Sequence, residues 1–400
     1  MSESQTFRCL VRKQNRTNKH LMKIQQKVWR NDDGWTTQRF EEFEDKECLV
    51  LAFGDRLLLE QPKFYSDIKS FYPKGAVILN STSGEIIDGA VIDHSIVVTA
   101  IQFEKTKFIV KRVNIKGFVD SSAAGQDLAR QLPEEGLKHV LIISDGGTVN
   151  GSDLVTGLNK YLPPKVTTTG GLAGDGSRFE ATLVGWNEQP GKGNIIAIGL
   201  YGKELSVGYG SVGGWDTFGP KRIVTKSNTN VLYELDGKSC LQLYKRYLGE
   251  KAEGLPSSAL HFPLSIQLEN SDQQLVRTIL SIDEDKQCMI FAGDVPEGAV
   301  VQLMRANYDK LIDGAFEAAD SCKNIEGLQT PEIALLISCV GRKLVLDQRI
   351  DEEIESVQEA IGQEVPITGF YSYGEISPFA GFTNCELHNQ TMTITLLSEN

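Results

Sequence analysis

HVLIISDGGTVNGSDLVTGLNKYLPPKVTTTGGLAGDG, residues 139–176, is the stretch that decides the fold. It opens on a short, continuous run of Val, Leu and Ile. That is how a parallel strand covered on both faces reads. Leu154, Leu158 and Leu162 then recur at helical spacing. Pro164 closes the middle, and a Thr-rich run leads into Gly174-Asp175. A strand, a helix and a second strand of this length predict a right-handed crossover unit.

The same order occurs twice more. CLVLAFGDRLLLEQPKFYSDIKSFYPKGAVILNSTSGEI, residues 48–86, ends in Gly84-Glu85, with Pro73 closing its middle. IALLISCVGRKLVLDQRIDEEIESVQEAIGQEVPITGFYSYGEIS, residues 333–377, ends in Gly374-Glu375, with Pro366 in the equivalent place. Residues 108–132 and 299–322 feed the second and third units through a strand and a small-residue helix. Turn-punctuated runs of antiparallel appearance follow at 181–211 and 385–399. The expected class is α/β: two related halves, each a mixed β-sheet with packed helices, from an internal duplication. The expected boundaries are a basic, partly disordered leader over 1–47, a first domain over 48–243 and a second over 244–400. Residues 212–255 read as the joint.

Four hundred residues exceed the comfortable size of one core, which agrees with more than one domain. No apolar run is long enough to span a bilayer, and the N-terminus lacks the apolar stretch of a secretory signal. The 7 cysteines are scattered without a CxxC, so neither a zinc site nor a disulfide framework is indicated and a reducing, cytoplasmic setting is expected. Residues 1–30 hold eight Lys and Arg against Glu3 alone, leaving 33 bases and 52 acids of the chain's 41 and 53 for the rest. An acidic body argues against nucleic acid as the main partner.

Ligands of open α/β sheets sit beyond the carboxyl ends of strands. Glycine there lets the backbone come close or take positive φ, and an acid offers acceptors to an ammonium or hydroxyl while repelling phosphate. Glu85, Asp175 with Gly174, and Glu375 are therefore candidate ligand contacts. The competing reading makes them turn residues whose carboxylates cap backbone N–H groups. Cys339 stands at the end of an apolar strand with Arg342 nearby. It reads either as a nucleophile activated by the guanidinium or as a packed thiol. Trp215, in a glycine-rich loop, is either an aromatic wall of a site or a plug. Alternation places Tyr371 and Tyr373 on one face beside Glu375. The histidines show no metal-ligand spacing, and GxGxxG, GxSxG and GxxxxGK[ST] motifs are all missing.

At these residues the chain resembles the FIST family, with its FIST N and FIST C domains. STSGEI (81–86) and TGGLAGDG (169–176) resemble the FIST N signatures, with Asn80 where many members carry Cys. GWDTFGPKRIVTK and VLYELDGKSCLQLYKRYLG (231–249) resemble the linking segment. FAGDVPEGAVVQLM (291–304), SCVGR (338–342), GFYSYGEISP (369–378) and HNQTMTITLLSE (388–399) resemble FIST C. The resemblance implies a sensory ligand-binding protein of signal transduction, its ligand a small polar molecule such as an amino acid. With no output domain in the sequence, it implies signalling through a separate protein or through assembly as a homo-oligomer. Some members bind haem through a His near the linking segment. Residues 206–226 contain no His, so no cofactor is expected; the alternative readings are an enzyme acting on a small polar substrate with Cys339 or the strand-end acids, and a haem-binding gas sensor.

Overall fold

Each hydrophobic run singled out in the sequence becomes the first strand of a parallel pair. The computed structural model describes residues 21–267, 274–323, 328, 330–379 and 381–400. Residues 1–20 of the expected leader, with Cys9 and His20, lie outside the described residues.

Unit 1 holds β1 (Lys23–Arg30), β2 (Gly34–Arg39), β3 (Cys48–Gly54), α1 (Arg56–Leu59), α2 (Pro62–Phe71), β4 (Gly75–Ser81), β5 (Glu85–Ile87), β6 (Ala90–Ile92) and β7 (Ile96–Gln102). Unit 2 holds β8 (Lys107–Asn114), α3 (Ser121–Gln131), β9 (Leu137–Ser144), α4 (Gly151–Asn159), β10 (Thr167–Leu172), β11 (Val184–Trp186) and β12 (Asn194–Tyr201). Unit 3 starts at β13 (Leu205–Val212). It is then interrupted by an inserted β domain: β14 (Asp216–Asn228), β15 (Val231–Leu235), β16 (Lys238–Ser239), α5 (Cys240–Leu248), β17 (Leu264–Gln267), β18 (Gln274–Arg277), β19 (Ile279–Asp283), β20 (Cys288–Phe291) and β21 (Val300–Arg305). The unit resumes with α6 (Tyr308–Lys323), β22 (Ile333–Cys339), α7 (Val340–Leu346), α8 (Ile350–Ile361), β23 (Ile367–Ser372), β24 (Gly374–Pro378), β25 (Cys385–His388) and β26 (Met392–Glu399).

The three six-stranded sheets share one order. Their cores read β4-β3-β7-β1, β10-β9-β12-β8 and β23-β22-β26-β13. In each, a parallel pair joined by a crossover is flanked by antiparallel return strands. The strands beyond the parallel pair are exchanged in a ring. β5–β6 of unit 1 extend the sheet of unit 3, β11 of unit 2 extends that of unit 1, and β24–β25 of unit 3 extend that of unit 2. The α/β class with mixed sheets and packed helices holds. The expected duplication into two related halves is not confirmed; the shared sheet order runs through three units, one for each repeated stretch.

Alternation along the strands builds the core. Leu49, Leu51 and Phe53, with Leu141 and Ile143, and with Ile333, Leu335 and Ile337, point into one central cluster shared by all three sheets. The opposite faces are covered by helices, in separate clusters that include α2, α3 with α4, and α6 with α8. That two-sided burial is why the strands read as unbroken apolar runs.

Two expectations on organisation change. β1 and β2, placed in the leader from the basic charge, are integral: β1 pairs with β7, and its Ile24 and Val28 are buried. Lys23, Lys27 and Arg30 on the same strand disguise it as a charged tail. The boundary at 243/244 falls inside α5 of the inserted domain, which has its own core around Leu241, Leu243, Met289 and Phe291. No helix among the described residues is long and apolar enough to cross a membrane.

Candidate functional site

The strand register separates the three acids into two kinds. Counting from paired positions, Glu85 lies five residues past Asn80 (paired with Phe53) and Glu375 five past Phe370 (paired with Ile337). Asp175 lies four past Gly171 (paired with Ile143). One residue of offset gives it different surroundings.

Glu85 and Glu375 occupy matching nests of hydroxyls. Thr82 and Ser95 donate to Glu85, the Ser95 bond being 2.5 Å. Ser372 donates to Glu375 at 2.6 Å and Thr391 donates through Oγ1 at 3.0 Å and its N–H at 3.2 Å. Both carboxyls are buried, which pushes each up to about 8 despite the hydroxyl donors that favour the ionised form. They brace the bends between units and are closed off from solvent. Gly84 earns its place there: its φ is +132°, and a Cβ would collide with the Lys343 ammonium.

Asp175 is wholly buried and shared between two guanidiniums. Arg56 Nε donates to Oδ1 at 2.8 Å and Arg178 Nε at 2.7 Å, while the N–H groups of Glu180 and Ala181 reach Oδ2 at 3.2 Å. Burial raises its pKa, but the hydrogen bonds from Arg56 and Arg178 outweigh that and hold the carboxyl below the usual range. Arg56 also reaches Glu60 at 2.8 Å and Glu180 at 2.7 Å. Arg178 also reaches Asp55, the N-cap of α1, at 3.0 Å. His94 Nδ1 lies 3.4 Å from Asp55 on the solvent side.

All three units meet here, at the carboxyl ends of their parallel strands. Unit 1 supplies Asp55, Arg56 and His94, and unit 2 supplies Asp175 and the loop 176–180. From unit 3, Tyr373 donates to Gly176 O at 3.1 Å and stacks on Phe179, ring centres 4.8 Å apart. Lys343 of α7 donates to Ser83 O at 2.9 Å and pairs with Asp93. The loop over Asp175 is the exposed layer: Phe179 is 51% exposed and has a positive φ of 54°.

The other sequence candidates lie elsewhere. Arg342 is fully buried, with Nε 2.7 Å from Glu353, and donates to Gly213 O at 2.5 Å and Leu311 O at 2.7 Å. Tyr371 donates to the same Glu353 at 2.7 Å. Strand alternation does not carry on to Tyr373, because β23 stops at Ser372; the two tyrosines pack in different clusters. Trp215 is a plug, 8% exposed, its indole donating to Gln390 O at 2.8 Å. Cys339 is buried, and burial pushes its thiol up. With Arg342 committed to Glu353, nothing there activates a thiolate. Gly174 is tight against Ser83, so its missing Cβ serves the packing of units 1 and 2. Arg56, Arg178 and Lys343 escaped the sequence reading. The short loop after the Gly-acid turn, with Arg178 three residues past Asp175, was the available signal.

Haem needs an axial ligand, and an imidazole is the one the resemblance implies. His139 holds Thr167 and Thr169 at 2.8 and 3.0 Å with its two ring nitrogens, and His388 Nε2 lies 3.0 Å from Ser377 O, so neither fits. No cluster of three or more His, Cys, Asp or Glu suited to a metal occurs among the described residues.

The FIST N domain model matches residues 48–238 and the FIST C domain model residues 240–378. An uncharacterized protein of Mycobacterium tuberculosis is 26% identical over 270 residues, covering 64% of this chain and 67% of that protein. An uncharacterized protein of Methanocaldococcus jannaschii is 25% identical over 236 residues, covering 52% and 44%. Among solved structures, PurLQS from Thermotoga maritima aligns over 80% of this chain and 74% of its own, at 8% identity. Its TM-score of 0.22 carries no argument.

Proposed function

The chain belongs to the FIST family, whose domains are associated with sensory signal transduction, and from that premise we propose that it senses a small zwitterion such as an amino acid at the Asp175 cluster. One observation carries the reading: a fully buried carboxylate is held by a cation, Arg178, that sits on a loop with exposed residues. A ligand ammonium takes the place of that guanidinium between Asp175 and Asp55. The ligand carboxylate then pairs with Arg56 or the released Arg178, which are well suited to carboxylate. The loop 176–180 moves aside and recloses, so binding shifts a population of open and closed arrangements.

A route for the signal belongs to the same proposal. Lys343 faces the cluster, while its neighbour Arg342 grips Gly213 and Leu311, on either side of the inserted β domain. Displacing Lys343 through α7 would loosen that grip and reorient the inserted domain toward a separate output protein in the cytoplasm. Equilibrium dialysis of the full chain against an amino-acid panel, read by mass spectrometry, tests the reading. Unchanged bound amino acid supports it. A chemically altered product, or no retention of any panel member, overturns it.

A further inference from the structure

A cleft of about 580 Å³ lies at the opposite end of the sheets, before the starts of β3 and β9. Its volume falls in the range of small-molecule sites. Phe103, Phe108, Ile109, Pro133 and Tyr201 form its walls. The Phe103 and Phe108 rings are tilted by 51° with centres 6.2 Å apart, presenting both a face and an edge. Two polar atoms in this lining, Thr106 Oγ1 and Tyr201 Oη, are buried without a hydrogen-bond partner, on residues 8% and 7% exposed. Buried hydroxyls are ordinarily satisfied, so two orphans in one cleft ask for a ligand that donates and accepts. The cleft is also held in shape: the Glu399 carboxylate takes the N–H groups of Glu104, Lys105 and Thr106, pinning the β7–β8 turn.

Its rim carries Lys46, Lys105 and Lys107 against Glu47, Glu104 and Glu135. Lys46 pairs with Glu104 at 3.0 Å and Lys105 is engaged with Asn400 O at 2.6 Å. Equal numbers of each sign favour neither an anion nor a cation. Burial raises the Tyr201 phenol, which keeps it protonated and able to donate.

We propose that this cleft is a second binding site, for an uncharged aromatic compound of about two or three fused rings bearing a hydroxyl or carbonyl. The rings pack on Phe103 and Phe108, and the polar group meets Thr106 and Tyr201. Calorimetric titration of the full chain with 2-naphthol tests it. The expected result is saturable binding of one equivalent, weakened about 3- to 10-fold in Tyr201→Phe and abolished in Ile109→Trp, which fills the cleft. The charged naphthalene-2-sulfonate binds less well. Should Ile109→Trp not fold, Thr106→Val takes its place, with weakening expected. Absence of saturable binding, or unchanged affinity in both Tyr201→Phe and the blocking variant, overturns the assignment.

Discussion

Asp175, Glu85 and Glu375 share a sequence signature and differ in charge state. Two are protonated braces and one is an ionised partner of arginines, because of a one-residue offset and the arginines that follow it. The consequence is measurable. Glu85 and Glu375, raised to about 8 by burial, bind protons in the folded state that an unfolded chain releases near its ordinary carboxyl range. Stability is therefore lost as pH rises toward 8. His139 and His388, lowered by burial to about 3 and about 4, must charge on unfolding, so stability is also lost as pH falls below 6.5. Urea unfolding should show a maximum at about pH 5–6.5. Glu375→Gln should flatten the alkaline limb while leaving the acid limb. Equal slopes for both proteins would count against the protonated brace. Asp175→Asn leaves Arg56 and Arg178 without their shared carboxylate and should cost about 3 kcal/mol in the same assay. The Gly-acid bends were legible in the sequence. One hydroxyl for each glutamate is local, Thr82 and Ser372 three residues before the acid, but the second comes from Ser95 or Thr391, just before the return strands, and no local pattern announces that pairing.

At the scale of elements, α7 joins two environments. Lys343 reaches the charged cluster and Arg342 the buried anchor of the inserted domain. Removing the guanidinium in Arg342→Met strands Glu353 and frees the Gly213 and Leu311 carbonyls. We expect a loss of about 3–5 kcal/mol and faster limited proteolysis at 213–216 and 306–308, with the rest of the chain resistant. Cleavage as slow as in the parent would separate Arg342 from the anchoring role. The helix was not distinguished in the sequence, its first three residues lying within SCVGR. Reading Arg342 as a ligand contact failed because an arginine at a strand end looks alike whether it faces solvent or an acid on a later helix. Glu353, eleven residues on, is that acid. The inserted domain was equally hidden, its short strands passing for a joint.

For the whole molecule, the exchanged strands lock the three units and cut across the two family domains. β24–β25 from the C-terminal part complete the sheet of β10, and β5–β6 from the N-terminal part complete that of β23. A fragment of residues 48–238 would lack β1, β24–β25 and β26, leaving sheet edges and a central core open. It should not fold cooperatively, whereas the full chain should lose its three sheets in one transition by circular dichroism. A cooperatively folding fragment would refute the interlock. The three-part repeat was legible because each crossover is local. The ring of exchange was not, since it depends on where a hairpin docks and not on its own pattern.

The account stands on three units meeting at one replaceable ion pair around Asp175. The most direct test is calorimetric titration of the standard amino acids into the full chain and into Asp175→Asn. At least one should bind saturably to the parent and lose about tenfold or more in the variant. Binding by none of them, or equal binding to both proteins, would contradict it.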